Sequence, residues 1–264
     1  MHTDDFKFKK KYDQNFLKDD TIPNKIVEAS NILDNSLVIE IGPGAGALTS
    51  KLVLKAKYVL AYEIDTSLED ILSNRLKDYN NVEIIFDDFL NRNIKEDIKD
   101  YSYDNLYVIA NLPYYITTPI IMKFIEDDID VSRLVIMVQK EVGERFSAKP
   151  KTKDYGSITV FLNYYFQIHK LFDVSRNCFI PKPNVDSVIL ALDKRKDSYP
   201  VDDKKVFFQL VRDSFQFKRK TLRNNLKGYP LDVIQNVLNK YGFDLSVRAE
   251  ELPIDVFVDI SNNL

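Results

Sequence analysis

Cysteine, histidine and glycine are nearly absent from this chain. A single cysteine, Cys178, rules out an internal disulfide, and with only His2 and His169 beside it no zinc-like ligand cluster can form. No metal is therefore expected, and Cys178 reads as a small buried apolar side chain. No stretch approaches the roughly 18 uncharged apolar residues of a membrane-spanning helix, and the opening Met1-His-Thr-Asp-Asp-Phe-Lys7 lacks the apolar core of a secretory signal. The expectation is a cytoplasmic protein with no membrane partner, and a monomer, because no long apolar seam marks an obligate dimer. Excess positive charge is missing too. With 37 Lys and Arg against 40 Asp and Glu, the net charge of −3 argues against a protein that coats nucleic acid nonspecifically. What remains is length and apolar content: 264 residues at 45% hydrophobic can bury one large domain and a small one.

The seven glycines are unevenly spread. Three of them, Gly42, Gly44 and Gly46, fall within five positions directly after the apolar run Leu37–Ile41. Such crowding marks backbone that bends sharply and approaches a ligand closely. Strand-like runs at Leu37–Ile41, Tyr58–Tyr62, Val82–Phe86 and Leu106–Ala110 alternate with helix-like stretches near Ala47–Leu54, Ser67–Leu76 and Pro119–Ile125. That alternation predicts an α/β fold, a parallel sheet carrying helices on its faces. Arg133–Gln139 adds a strand, and Gln167–Phe172 and Ser187–Leu192 read as closing strands around the proline-stiffened loop Phe179-Ile-Pro181-Lys-Pro183. Between Gln139 and Gln167, Ile158, Phe161, Leu162 and Tyr165 keep the spacing of an amphipathic helix.

After Leu192 the composition shifts to Asp193-Lys-Arg-Lys-Asp-Ser-Tyr-Pro200, polar and closed by proline, which places a boundary between a domain of residues 1–193 and a small all-helical domain of residues 194–264. In the latter, Val206, Phe207, Leu210 and Val211, then Val233, Ile234, Val237 and Leu238, each mark one apolar helical face. From Lys204 to Lys227 eight basic residues stand against one acid, Asp213. They form a candidate phosphate-contacting surface, although a charge run taken alone is more often a solvated helix face.

A glycine-rich turn after the first strand, with an acid at the end of the second, is the pattern of a ribose-binding site, and Glu63 stands 21 residues after Gly42. Nicotinamide dinucleotide binders share this pattern. The spacing Gly42-x-Gly44-x-Gly46 departs from their G-x-G-x-x-G and tilts the reading towards S-adenosyl-L-methionine. Asp88, after the third strand, is placed to accept a hydrogen bond from the donor's adenine amine, or else is an ordinary turn cap. At the end of the fourth strand comes Asn111-Leu112-Pro113-Tyr114. The lone pair of an adenine N6 is delocalised into the ring, so acceptors must draw it out. The Asn111 side-chain oxygen and a backbone carbonyl held before Pro113 can each accept one amine proton, and Tyr114 can stack on the base. No general base is needed, because the nitrogen becomes acidic once alkylated. In open parallel sheets ligands sit at the carboxyl ends of strands, where Gly42, Glu63, Asp88 and Asn111 would converge.

Together these residues resemble the ribosomal RNA adenine dimethyltransferases, over nearly the whole chain. The resemblance implies a Rossmann-like class I methyltransferase sheet with helices on both faces, and a small helical C-terminal domain that binds rRNA. Gln14-Asn15-Phe16-Leu17 is similar to the family's N-terminal cofactor motif, which implies that Asn15 and Leu17 help enclose S-adenosyl-L-methionine. Phe179-Ile-Pro181-Lys-Pro183-Asn-Val185-Asp-Ser187 resembles its F-x-P-x-P-x-V-x-S loop and implies that Phe179 faces Tyr114 across the target base. The nearer resemblance is to the bacterial small-subunit branch, which dimethylates two adjacent adenosines near the 3′ end of that rRNA. It rests on Val138–Val142 with Ala148-Lys149-Pro150 and Tyr155-Gly156, on Phe215–Leu226, and on Arg248–Leu252, where Ala249 replaces the usual proline. It implies small-subunit rRNA or an immature small subunit as partner. Lys149, Lys151, Lys153, Lys218, Arg219, Lys220 and Arg223 would hold the RNA backbone. The rivals are the related large-subunit methylase of macrolide-type resistance, against which the basic Lys218–Leu226 segment argues, and an assembly factor that acts mainly by binding.

Overall fold

The computed structural model describes residues 16–18, 20–111 and 116–264. The chain divides into two compact units, Met1–Gly143 with His169–Asp193, and Glu144–Ile168 with Lys194–Leu264. Residues 144–168, placed by the sequence in the first domain, go with the second unit.

The first unit is built on strands β1 (Phe16–Leu17), β2 (Ser36–Ile41), β3 (Tyr58–Glu63), β4 (Val82–Phe86), β5 (Asn105–Asn111), β6 (Arg133–Gln139), β7 (Phe166–Val174), β8 (Phe179–Ile180) and β9 (Ser187–Lys194). Seven of them form one sheet in the order β4-β3-β2-β5-β6-β9-β7, while β1 pairs antiparallel with β8. Strands β2 to β6 run parallel and β9 is antiparallel to β6. Every residue of β2 is buried, as expected for the middle of a parallel sheet covered on both faces.

Successive strand side chains alternate between faces. On one face Val38, Val59, Ile109, Val135 and Met137 pack with Ile22, Ile26 and Val27 of helix α1 (Thr21–Ser30) and Leu52 of α2 (Thr49–Leu52). On the other, Tyr62 meets Phe89 at 5.1 Å, and Phe89 meets Phe124 of a further helix at 5.3 Å. The remaining helices of this unit are α3 (Glu69–Leu76), α4 (Ile94–Ile98), α5 (Thr117–Glu126), which carries Phe124, and α6 (Lys140–Phe146), whose C-terminal residues pass into the second unit. The fold is Rossmann-like α/β, with helices on both faces of a mixed sheet.

The second unit packs α7 (Ser157–Tyr165), α8 (Lys204–Ser214), α9 (Leu222–Asn225), α10 (Leu231–Lys240) and α11 (Ile254–Ser261) around one core. Val160, Phe161 and Tyr164 of α7 join Phe207, Leu210, Val211, Ile234, Val237, Leu238, Phe257 and Ile260 in it. This packing explains why α7 belongs here. The helix follows the sequence expectation; the side chains it buries in this core are Val160, Phe161 and Tyr164, Tyr165 packs against it partly buried, and Ile158 is partly buried. Among the described residues no helix is long and apolar enough to cross a membrane.

Candidate active site

The strand registers bring the sequence motifs to one edge of the sheet. Ile41 of β2 pairs with Tyr62 and with Ala110, Glu63 pairs with Phe86, and Asn111 pairs with Met137. Gly42, Glu63, Asp88 and Asn111 therefore stand at or just beyond the carboxyl ends of β2, β3, β4 and β5, where open parallel sheets hold their ligands.

The turn after β2 is a folded loop with little room for side chains. Gly42, Gly44 and Gly46 have φ of +73°, +58° and +77°, a region open to glycine and costly for other residues. A methyl group built on Gly42 would lie 3.9 Å from the carbonyl oxygen of Asn111, so the glycine turn runs beside the end of β5. One built on Gly46 would meet Leu72 at 3.1 Å and the Arg75 stem at 3.2 Å. Arg75 also ties the loop down by donating to the Ala45 carbonyl at 3.0 Å. Backbone N–H groups of Gly42 and Gly46 donate to the carbonyls of Tyr62 and Pro43, both at 2.9 Å.

Glu63 is 4% exposed. Its Oε2 accepts from the Gly44 N–H at 3.0 Å and its Oε1 from the Asp65 N–H at 2.9 Å. Burial raises its pKa and these backbone donors partly offset the rise. The carboxylate's two oxygens keep capacity for a further donor such as a ribose hydroxyl. Deeper in the same face lies Glu40, 1% exposed, between Ala61 and Ile109. Burial and the nearby Glu63 push its carboxyl up to about 8, with the Thr49 hydroxyl lowering it in part. Neither Glu40 Oε2 nor Thr49 Oγ1 has a hydrogen-bond partner of acceptable geometry.

Asp88 caps a short 3₁₀ turn, its Oδ1 accepting from the Leu90 N–H at 3.0 Å, which is the turn-cap reading weighed above; its other oxygen makes no hydrogen bond among the described residues. Leu17 pairs with Phe179 through β1 and β8, so the N-terminal motif and the proline loop are held together. Phe179 itself is 1% exposed and belongs to the core cluster with Val135, Met137 and Ile189, against which Leu17 also packs. Its ring is covered as the chain stands, so a base could reach it only if the covering segments opened. Asn15, Leu112, Pro113 and Tyr114 lie outside the described residues. Cys178 is half-buried rather than buried, and the described residues contain no group of three or more His, Cys, Asp or Glu able to hold a metal.

The basic residues cluster in the second unit. Lys149, Lys151, Lys153, Lys218, Arg219, Lys220 and Arg223 are all exposed. The Lys151 N–H donates to the Glu250 carbonyl at 2.8 Å, and Glu250 lines a small cleft with Lys218 and Lys220. Two segments some 65 residues apart in sequence thereby share one surface.

The family model described as Ribosomal RNA adenine dimethylase matches residues 5–264. The chain belongs to the ribosomal RNA adenine dimethylase family. It is 44% identical to the Ribosomal RNA small subunit methyltransferase A of Bacillus cytotoxicus and to that of Bacillus mycoides, in each case over 98% of this chain and 92% of the relative. Among solved structures it resembles a dimethyladenosine transferase from Plasmodium falciparum, with a TM-score of 0.79 and 28% identity over 93% of this chain and 95% of the other. The 23S rRNA methyltransferase ErmE, with a TM-score of 0.73 and 24% identity over 94% and 99%, shares the fold.

Dimethylases of this family are S-adenosyl-L-methionine-dependent methyltransferases, and the site fits that cofactor. A glycine cradle free of side chains and a buried acid with spare lone pairs at the end of β3 suit a nucleoside with a flexible tail. Glu40 and Ile64 belong to the same two stretches of sequence as the glycine turn and Glu63: Glu40 is an acid inside an otherwise apolar strand, and Ile64 is 45% exposed directly after Glu63.

Proposed function

We propose that this chain transfers methyl groups from S-adenosyl-L-methionine to N6 of two adjacent adenosines near the 3′ end of small-subunit rRNA, giving N6,N6-dimethyladenosines. The observation that carries the reading is the meeting of Gly42, Glu63 and Asn111 at one sheet edge, in a chain 44% identical to small-subunit methyltransferases A over 98% of its length. The donor supplies an electrophilic methyl group on a sulfonium. The glycine turn takes the donor's tail against bare backbone, Glu63 accepts from its ribose hydroxyls, and Ile64 and Asp88 border its adenine.

The target adenine must leave its stack, because N6 is unreachable inside a duplex. The Asn111 side-chain oxygen and the Leu112 carbonyl accept the two amine protons, which localises the lone pair on N6 for attack. Tyr114 stacks on the base, a contact worth about 1–3 kcal/mol in nucleic-acid binders. Phe179 closes the opposite side once uncovered, and Asn15 and Leu17 enclose the donor. The proton leaves the alkylated nitrogen without a dedicated base. Lys149, Lys151, Lys153, Lys218, Arg219, Lys220 and Arg223 hold RNA phosphates, a sequence-blind contribution that positions the substrate. We infer an immature small subunit as substrate, a cytoplasmic location beside it, and a monomeric enzyme.

The test is methyl transfer from labelled donor to undermethylated small-subunit particles, with large-subunit rRNA in parallel. Label confined to the small subunit is expected. Label in the large subunit would replace this reading with the resistance methylase, and no label in either would favour a binding factor.

A further inference from the structure

The turn between α8 and α9 sets an aromatic ring among cations. Phe217 is 55% exposed and is followed by Lys218, Arg219 and Lys220, all exposed. Two residues earlier, Phe215 points into the core, 5.8 Å from the Phe257 ring and 6.0 Å from Tyr155. The same turn thus packs one phenylalanine against the core and presents the next. A lone surface apolar residue is ordinary and needs no explanation, but this one is held in place. The Lys220 N–H donates to the Phe217 carbonyl at 2.9 Å, closing a four-residue turn with Lys218 and Arg219 at its corners. The Asn225 side-chain amide donates to the Ser214 carbonyl at 2.6 Å and to the Phe217 carbonyl at 3.4 Å, pinning both ends. Asn225 Oδ1 is buried beneath with no partner, at the cleft that Phe217, Lys218 and Lys220 line. Glu250, an acid at that cleft, has Arg248 at 3.8 Å to offset its charge.

We propose that Phe217 is a stacking platform for one unpaired base of the substrate RNA, a base other than the methylated adenine, whose flanking phosphates are held by Lys218, Arg219 and Lys220. The inference rests on the reading of rRNA as substrate. A flat ring within a cationic turn is complementary to single-stranded or bulged RNA, which presents a planar base between anionic phosphates. A duplex, with its bases already stacked, has nothing to offer the ring. A ring carried on backbone that is fixed before binding loses less freedom on contact.

The chain contains no tryptophan, so Phe217→Trp introduces a single reporter at the site. Its emission is expected to be quenched when a single-stranded RNA oligonucleotide is added and to be unaffected by a duplex of the same sequence. Phe217→Ala should weaken binding of the oligonucleotide and of protein-free small-subunit rRNA about 5- to 100-fold, with the salt slope unchanged because no phosphate contact is lost. Its melting temperature and donor affinity should stay at the wild-type values, since the ring is largely exposed. Phe217→Leu should bind as weakly as the alanine variant, and Phe217→Tyr should restore binding. Wild-type RNA affinity in the alanine or leucine variant, or a tryptophan blind to RNA, would overturn the proposal. A loss seen with assembled particles but not with protein-free rRNA would overturn it too, by pointing to a ribosomal protein. The triple change of Lys218, Arg219 and Lys220 to Ala separates the two levels. If it lowers RNA affinity and salt slope while Phe217→Ala does nothing, the platform fails and the substrate reading stands; if neither affects RNA binding, the substrate reading fails as well.

Discussion

Glu40 lies fully buried in the central strand, and replacing it with glutamine changes one proton and almost no volume. Its carboxyl is held up to about 8 by burial, against an ordinary value near 4.5. At neutral pH the folded chain therefore keeps a proton that the unfolded chain releases. Glu40's contribution to stability is fully present below about pH 4.5 and is lost as pH rises towards 8, by about 1.4 kcal/mol per pH unit. Across that window the loss sums to about 4–5 kcal/mol, a large share of a typical domain's stability. Glu40→Gln removes the titrating group and should remove the slope. Urea unfolding of both proteins at pH 5.5, 7 and 8.5 measures it. At pH 5.5 the Glu40 penalty should be only about 1.4 kcal/mol, and by pH 8.5 it should have grown so that glutamine gains several kcal/mol over the wild type. A difference between them that does not change with pH would refute the reasoning, because Glu40 would then ionise as easily folded as unfolded.

Gly46→Ala should destabilise the first unit by about 1–3 kcal/mol, since φ of +77° and neighbours at 3.1 and 3.2 Å leave no strain-free place for a methyl; thermal melting checks it. Glu63→Ala should weaken donor binding by at least about tenfold through lost ribose contacts, while affinity for RNA, titrated separately, stays as it was. Asn111→Ala should bind RNA normally yet lose about 10²–10³ in kcat, the usual effect of removing one preorganised polar contact at a reacting centre. If that variant fully rescued growth of a deletion strain, binding rather than catalysis would be the chain's main role.

Much of the first unit was legible because parallel strands leave strong local marks. Leu37–Ile41, Tyr58–Tyr62, Val82–Phe86 and Leu106–Ala110 each appear within a residue of their observed ends, since continuous apolar runs broken by turn residues admit few other readings. Helices were less clear. The expected helix over Ala47–Leu54 shortens to Thr49–Leu52, because the glycine turn takes up its start and a looser turn its end. Helix α1 was not read at all: Pro23 in its first turn looks like a loop, although Ile22, Ile26 and Val27 supply a buried face.

The candidate site shows the same division. Residues at strand ends could be placed from sequence, because the sheet brings them to one edge whatever the details of packing. Phe179 could not. Its side chain packs with Val135, Met137 and Ile189 from other strands, contacts that leave no local pattern. The grouping of Lys151 with Lys218 and Lys220 came from the family resemblance alone, because the backbone hydrogen bond to Glu250 that supports it leaves no local mark in the sequence. The membership of residues 144–168 in the second unit has no compositional signal either, because α7 is apolar enough to suit either core.

The most direct test of the account is the identity of the methylated product. Undermethylated small-subunit particles would be incubated with the chain and S-adenosyl-L-methionine, and their rRNA digested to nucleosides for mass spectrometry. The account expects N6,N6-dimethyladenosine, two per particle and adjacent when mapped by fragment sequencing. Methylation at another atom, dimethylation at scattered sites, or unmodified adenosine throughout would contradict it.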